Sequence, residues 1–199
     1  MPASVAIFDF DDTLVEKDSF WLYLFLVAGR FASYLILGEA LLRYILKKAV
    51  GRPSNTDFRT FIKAHLLHRL LVGKKEERLR TTARLMAGKQ KRIHATLQAL
   101  KEHKEKGAVI VIASGGLDLY LPSLLRDIPY DALICTEIGV ENGVITGEMV
   151  KGNCVRARKA ERVAAWLAAH GPFEESFGYG NYPDDLPMLA LVRHRILVS

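Results

Sequence analysis

A short apolar run near the start of the chain, SVAIFDF at residues 4–10, ends in a cluster of acids. Asp9, Asp11 and Asp12 stand close together there. Carboxylates at this spacing repel one another, and each loses hydration if the end of the strand is covered. The arrangement is therefore costly unless a cation or a proton sits among them. A fold that contains this strand must place something positive at its end.

Similar apolar runs recur later in the chain, and helical patterns separate them. Runs that are apolar throughout are typical of parallel strands covered on both faces. Such runs stand at 108–114, 131–137, 194–199 and, more weakly by composition, 176–181. Apolar residues at helical spacing predict helices at 94–106, 117–126 and 156–170. The alternation predicts an α/β fold with a doubly wound parallel sheet, and Asn142-Gly143 within 141–147 predicts a small hairpin.

The interval from residue 16 to residue 93 has no strand pattern and is rich in helix formers. Its breaks stand at Gly29-Arg30, Gly51-Arg52-Pro53 and Gly73. These breaks divide it into three or four helices. We therefore predict a discontinuous α/β core, residues 1–15 and 94–199, with an inserted α-helical cap domain at 16–93.

The composition indicates which partners and which cellular compartment suit the protein. The chain has 199 residues, of which 50% are hydrophobic, so it can bury a real core. The formal charge of +6 favours anionic partners such as phosphorylated metabolites or a membrane face, and no nucleic-acid partner is predicted. Cys135 and Cys154 show no metal-ligand spacing, which favours a reducing cytoplasm. We predict no secretory signal and no membrane-spanning segment. The sequence does not fix the oligomeric state.

Polar side chains follow several of the predicted strands. In an open α/β sheet the carboxyl ends of the strands form the ligand crevice, so these side chains should converge. The candidates are Asp9, Asp11 and Thr13 after the first strand, Ser114 after the second, Asn181 and Asp185 after the weaker one, and Lys159 on the helix between. Carboxylates, a hydroxyl and a lysine ammonium together suit phosphoryl transfer.

Each candidate has a distinct chemical role. Asp9 can attack phosphorus and form an aspartyl-phosphate, and Asp11 can protonate the leaving oxygen and later deprotonate water. Thr13, Ser114 and Lys159 can hold phosphate oxygens. A hard cation, Mg²⁺, would relieve the repulsion among the acids.

The same residues resemble the motifs of the haloacid dehalogenase superfamily of aspartate-nucleophile phosphatases. DFDDT at 9–13 matches the first motif, Ser114 matches the second, Lys159 resembles the third, and YGNYPDDLPML at 179–189 resembles the fourth. The long insertion after the first motif resembles subfamily IB, whose helical cap is inserted at that point. That branch includes phosphoserine phosphatases and phosphatidylglycerophosphatase C.

This resemblance implies further roles and one departure. Ser114-Gly115-Gly116 looks like the phosphoserine phosphatase form of the second motif, so Gly115 is expected beside the phosphate. Glu16 is similar to a glutamate that helps to hold the substrate's amino group in that enzyme. The resemblance also makes Asp9, Asp11, Asn181 and Asp185 the expected Mg²⁺ ligands. Asn181 stands where an aspartate usually binds the metal, and because its amide brings no charge, metal affinity should fall.

The segment at 20–48 is too apolar all round for an ordinary exposed helix pair. It can pack internally, bind an apolar substrate tail or meet a membrane surface, where Lys47, Lys48 and Arg52 would suit anionic lipid.

Three functions stay open. We expect a Mg²⁺-dependent phosphatase for a small phosphorylated metabolite of the phosphoserine type. The alternatives are a lipid-phosphate phosphatase and a catalytically weak phosphate-binding protein.

Overall fold

The computed structural model describes residues 4–51 and 57–198. Arg52 and Pro53, part of one predicted helix break, lie outside the described residues. Within the described ranges the helices are α1 (Ser19–Ala28), α2 (Arg30–Ala49), α3 (Phe58–Leu71), α4 (Glu76–Arg84), α5 (His94–Glu105), α6 (Leu121–Leu124), α7 (Arg156–His170) and α8 (Leu186–Leu189). The strands are β1 (Ser4–Phe8), β2 (Val109–Leu117), β3 (Ala132–Thr136), β4 (Ile138–Glu141), β5 (Val144–Met149), β6 (Glu175–Gly180) and β7 (His194–Leu197).

The central sheet has the order β3-β2-β1-β6-β7, and all of its neighbouring strands are parallel. Strand β1 therefore lies in the middle, between β2 and β6. The chain moves from β1 to β2 and β3 on one side and then crosses to β6 and β7 on the other. The order of strands reverses at the β1–β6 junction, which is where ligands bind in such sheets. The predicted doubly wound α/β fold is confirmed, and so is the weak fifth strand.

Side chains of β1 alternate between two cores, as the period of two in a strand requires. Ala6 and Phe8 belong to the larger apolar cluster, which continues into α5 and the helices of the 16–93 interval. Val5 and Ile7 belong to a second cluster on the opposite face, which includes Val163 of α7. The strand is buried on both faces, which explains why its sequence is apolar throughout.

One predicted helix is shorter in the structure than the sequence pattern indicated. The sequence pattern predicted a helix at 117–126, but β2 continues to Leu117 and α6 covers only Leu121–Leu124. The register of β2 against β3 shifts after Ala113, so that Leu117 still pairs with Thr136. The strand ladder thus takes up Leu117, and residues 118–120 form a turn before α6. The hairpin is confirmed, because Asn142 and Gly143 turn between β4 and β5 with φ of 51° and 75°.

Helices α1 to α4 fill the 16–93 interval, and Gly29 and Gly73 lie at two of their breaks with φ of 82° and 77°. Two hydrogen bonds of 3.0 Å join the segments that enter and leave this interval: the N–H of Glu16 donates to the carbonyl of Lys91, and the N–H of Ile93 donates to that of Leu14. The exact bounds of the cap domain stay a prediction.

The membrane-spanning potential of the described helices is limited to one pair. No helix in residues 4–51 or 57–198 is by itself both long and apolar enough to cross a bilayer. Helices α1 and α2 reach that length and composition only when taken together, and they are bent by 114° at the break between them.

Candidate active site

The turn after β1 aims two acids at the edge of the sheet. The carbonyl of Phe10 accepts hydrogen bonds from the N–H groups of residues 13–15, at 3.4, 2.9 and 3.2 Å. This tight turn requires a left-handed residue, and Asp12 supplies it with φ of 57°. Aspartate tolerates that conformation better than most residues with a side chain. Asp9 and Asp11 both line a cavity beyond the strand end as a result.

A buried lysine lies between two of the predicted acids. Lys159 Nζ donates to Asp9 Oδ1 at 2.6 Å and to Asp185 Oδ1 at 2.7 Å, and all three side chains are buried. Lys159 reaches this place because it lies on the inner face of α7, one turn before the buried Val163. The positive group that the acidic cluster requires is thus supplied by the chain itself.

Charge and burial oppose each other in this group. The pKa of Asp9 is raised to about 6, because burial and the charge of Asp185 raise it more than the charge of Lys159 lowers it. Asp9 is therefore mostly ionised at neutral pH. Burial alone lowers the pKa of Lys159, but the two carboxylates outweigh it and raise that pKa above its ordinary value. An ionised carboxylate held by a permanent cation suits a nucleophile.

Asp11 has a different environment. Its Oδ1 accepts from the N–H of Ser19 at 2.7 Å, and its Oδ2 accepts from the hydroxyl of Ser19 at 3.0 Å. Ser19 Oγ also lies 3.0 Å from the hydroxyl of Tyr120. Burial, with smaller contributions from the charges of Asp18 and Asp9, raises the pKa of Asp11 to about 8. A carboxyl that keeps its proton at neutral pH can act as an acid.

Asn181 joins the ends of β1 and β6. Its N–H donates to Asp185 Oδ2 at 2.9 Å, and its side-chain Nδ2 donates to the main-chain carbonyl of Asp11 at 3.1 Å. A half-turn of the amide would aim its oxygen at the same region. In that orientation the carboxylate of Asp9, the carbonyl of Asp11 and the amide of Asn181 would offer oxygen atoms only, which are the ligands that Mg²⁺ prefers.

The charge of this oxygen set is low. Among the described residues no three His, Cys, Asp or Glu side chains gather closely enough to hold a metal ion. Lys159 engages one oxygen of Asp185, which leaves that carboxylate behind the set rather than in it. The residues present could thus hold Mg²⁺ with one direct carboxylate, that of Asp9, and with the main-chain rather than the side-chain oxygen of Asp11.

The predicted phosphate-binding residues are placed at different depths. Gly115 lines the cavity, and an added Cβ there would lie 2.8 Å from Val155 Cγ1, so a side chain would crowd the site. Ser114 is fully buried behind it and accepts from the N–H of Gly116 at 2.9 Å. Thr13 is also buried, with its hydroxyl 3.4 Å from Asp9 Oδ2.

Glu16 is the predicted site residue that the structure does not bring to the others. Its side chain is exposed and pairs with Lys91 at 2.5 Å, and it is absent from the described residues that line the cavity. Asp18, two residues further on, does line the cavity and caps α1 through a hydrogen bond from the N–H of Phe20. The Asp18-Ser19 pair before an apolar helix is an N-cap signal that could have located it.

The cavity has a volume of about 1050 Å³, and its lining is polar on one side and mostly apolar on the other. Its polar floor comes from the sheet edge, with Asp9, Asp11, Lys159 and Asn181. Its opposite wall is apolar and comes from the inserted helices. The apolar lining residues of that wall are Phe20, Trp21, Leu37, Leu41, Phe58, Ile62 and Leu66.

Lys63 of α3 brings a positive charge from the inserted helices to this cavity. Its Nζ contacts the carbonyl of Gly115 and lies 3.0 Å from Asn153 Oδ1 and 5.2 Å from the centre of the Phe20 ring. Burial lowers the pKa of Lys63 to about 8. Sequence reasoning missed Lys63, although a lysine in register with Leu66 and Leu70 on the buried face of α3 was a usable signal.

The model of the haloacid dehalogenase-like hydrolase family matches residues 6–190, nearly the whole chain. The chain belongs to the haloacid dehalogenase-like hydrolases. The resemblance drawn from the four motifs is thereby confirmed. This hydrolase is 31% identical over 188 residues to protein CicA of Caulobacter vibrioides, and the match covers 92% of this chain and 81% of CicA.

Solved structures share the fold of this hydrolase. A protein of unknown function from Bordetella pertussis Tohama I aligns with a TM-score of 0.76 at 20% identity, covering 99% of this chain and 90% of that one. A phosphoserine phosphatase bearing an analogue of its phospho-aspartyl intermediate aligns with a TM-score of 0.63 at 18% identity, covering 99% and 87%. Both likenesses extend over the core and the inserted helices of this hydrolase.

Proposed function

We propose that this hydrolase is a Mg²⁺-dependent phosphomonoester phosphatase that works through an aspartyl-phosphate on Asp9. The observation that carries the proposal is the environment of Asp9, a buried carboxylate held by Lys159 at 2.6 Å at the floor of a large cavity. The neighbouring Asp11 has the opposite protonation preference, which separates the roles of nucleophile and acid.

The first step uses both carboxyl groups. An oxygen of Asp9 attacks phosphorus and forms a P–O bond, while the bond from phosphorus to the substrate oxygen breaks. Asp11 gives its proton to that leaving oxygen, so the product departs as an alcohol. The hydrogen bonds from Ser19 hold the carboxyl of Asp11 in one orientation during this transfer.

The second step restores the enzyme. Asp11, now ionised, takes a proton from a water molecule whose oxygen attacks the phosphorus of the aspartyl-phosphate. The bond to Asp9 breaks, and inorganic phosphate leaves. Lys159 remains near the same oxygens and offsets their charge in both steps. Gly115 lets phosphate approach the strand end, where the buried hydroxyl of Ser114 lies.

The metal requirement rests on the oxygen set described above. Asp9, the carbonyl of Asp11 and the amide of Asn181 would hold Mg²⁺, with Asp185 behind them. When bound there, Mg²⁺ supplies positive charge for the phosphoryl oxygens. Because Asn181 brings a neutral amide where a carboxylate is usual, we expect the protein to need more Mg²⁺ than an enzyme with two direct carboxylates.

Replacing Asp9 tests the function. We expect Asp9→Asn to reduce hydrolysis of an aryl phosphate in the presence of Mg²⁺ at least about a thousandfold, because an amide cannot form the phosphorylated intermediate. Asp127→Asn is the control, since Asp127 is 75% exposed on its side chain and pairs only with Arg92. Thermal unfolding should show both variants folded.

Activity of Asp9→Asn at the wild-type level would refute the assigned nucleophile. Absence of Mg²⁺-stimulated hydrolysis across a panel of phosphates would favour the phosphate-binding alternative, provided that inorganic phosphate still raises the melting temperature.

The polar floor and the apolar wall of the cavity point to two candidate substrate classes. A small phosphorylated metabolite of the phosphoserine type is supported by the fold shared with phosphoserine phosphatase and by charged groups beyond the phosphate site, Asp18 and Lys63. A lipid phosphate is supported by the apolar wall opposite. Comparing turnover of phosphoserine with that of a short-chain lipid phosphate separates the two candidates.

A further inference from the structure

The surface of α2 is unusual for a helix on a folded core. Large apolar side chains recur along it at three- and four-residue steps, which places them on one face. That outer face consists of Phe31, Tyr34, Leu35, Leu42, Ile45 and Leu46, and each is more than half exposed. Phe31 at the start is 82% exposed and Ile45 near the end is 62% exposed.

The inner side of α2 already makes the contacts that folding needs. Ser33 and Ala40 are buried, and Ile36 and Leu37 pack partly buried against the main apolar cluster. An ordinary surface helix would carry charged residues opposite these positions. Here the opposite side is apolar instead, and a patch of this length on a protein surface marks an interaction site.

Basic residues flank the outer face. Helix α2 contains four basic residues and a single acid. The basic residues are Arg30, Arg43, Lys47 and Lys48, all of them exposed, and Lys47 lies over the ring of Phe61 on the side of α2 that faces α3. The acid, Glu39, lies 2.9 Å from Arg43 and 3.2 Å from Arg69, so Glu39 and Arg43 offset each other, and the positive charge of α2 comes mainly from Arg30, Lys47 and Lys48. The partner of the face therefore has apolar groups and negative charge together.

The outer face continues into the catalytic cavity. A groove of about 570 Å³ between α2 and α3 is lined by apolar side chains and by Lys48. Leu41 and Phe58 line both this groove and the large cavity. A molecule with a long apolar portion could thus pass from the face to the floor where Asp9 lies.

We propose that the outer face of α2 docks the protein on the surface of an anionic lipid bilayer. Helix α2 has 20 residues and so extends about 30 Å, and its apolar side would lie in the interface while the basic residues meet the headgroups. The bend of 114° leaves α1 packed inward, with Tyr23 and Leu24 fully buried. The docking does not depend on hydrolysis.

Charge favours a lipid surface over a second copy of this chain. Two copies meeting through this face would bring Lys47, Lys48 and Arg30 of each against the same residues of the other, and like charges at an interface repel. An anionic bilayer instead attracts each exposed basic residue near its surface. The overall charge of +6 acts in the same direction.

Vesicle binding of the full chain tests the proposal. We expect binding to phosphatidylcholine vesicles that contain about one third phosphatidylglycerol, with weaker binding in high salt and on pure phosphatidylcholine. Phe31→Gln/Leu46→Gln should weaken that binding at least about tenfold. The control Leu85→Gln/Val150→Gln changes two side chains that are 59% and 55% exposed elsewhere and should bind like the wild type.

Two further measurements separate the outcomes. All of these variants should hydrolyse a soluble aryl phosphate at the wild-type rate, and Asp9→Asn should bind vesicles normally, so a failure of docking and a failure of the phosphatase assignment are distinct. The proposal is overturned by equal binding to neutral vesicles, by no binding at all, or by a concentration-dependent dimer that the Phe31→Gln/Leu46→Gln change abolishes.

Discussion

The floor of the catalytic cavity and the outer face of α2 depart from the usual distribution of residues in opposite ways. At the floor, Asp9, Lys159 and Asp185 are charged and buried. On α2, Phe31 and Ile45 are apolar and mostly exposed. Burial of charge and exposure of large apolar groups both cost free energy relative to the reverse arrangement.

The two regions differ in how that cost is offset. At the floor, the chain provides its own compensation, since Lys159 contacts both carboxylates. On the outer face of α2, no described part of the protein covers the apolar side chains. Residues that contradict local folding preference stand where function is expected. The buried charges of the first region are therefore balanced by Lys159 within the folded chain, whereas the proposed docking would cover the second region with a partner.

The largest expected effect comes from removing the compensating charge. We expect Lys159→Met to lower the free energy of unfolding by about 3–5 kcal/mol, because Asp9 and Asp185 would be left buried without a counter-charge. Chemical denaturation at neutral pH measures it. Lys151→Met is the control: Lys151 lies on the surface, 3.0 Å from Glu137, and its loss should cost less than about 1 kcal/mol. Equal stability of the two variants would show that Lys159 is not the compensating charge.

The sequence predicted the floor of the cavity far better than its walls. Strand ends in a parallel sheet converge for any chain with this alternation, so Asp9 and Asn181 could be placed from order alone. Lys159 lies on α7, and its place among the ordered motifs located it. Glu16 and Asp18 differ by two positions in a turn, and sequence order does not fix which side chain turns inward. Lys63 comes from an inserted helix whose packing on the core depends on tertiary contacts rather than on local pattern.

A smaller effect should follow from neutralising Asp11. Its pKa of about 8 lies above the ordinary value of 3.8, so the folded protein retains a proton that the unfolded chain releases between about pH 4 and pH 8. Stability is therefore lost as pH rises through this window. Asp11→Asn lacks this titration. Between pH 5 and pH 8 its free energy of unfolding should therefore rise by at least about 2 kcal/mol relative to that of the wild type. This figure is below that of the full shift because the carboxyl partly faces the cavity.

Melting temperatures measured across that pH range with a chelator present would show the gain as an upward divergence of about 5 °C. Hydrolysis by Asp11→Asn should fall at the same time, since the proton donor is gone. Parallel melting curves for the two proteins would mean that Asp11 titrates normally in the fold, and its assignment as the acid would lose its physical basis.

The smallest effect is expected on the outer face of α2. Leu42 is 58% exposed, and glutamine has nearly the same helix propensity as leucine, so Leu42→Gln should change the free energy of unfolding by less than about 0.5 kcal/mol. Leu67→Gln, at a fully buried position of α3, should lose several kcal/mol in the same denaturation experiment. A loss at Leu42 as large as that at Leu67 would mean that the face is packed inside the folded chain. A negligible loss, together with weaker vesicle binding, would mean that this leucine serves an external partner and not the fold.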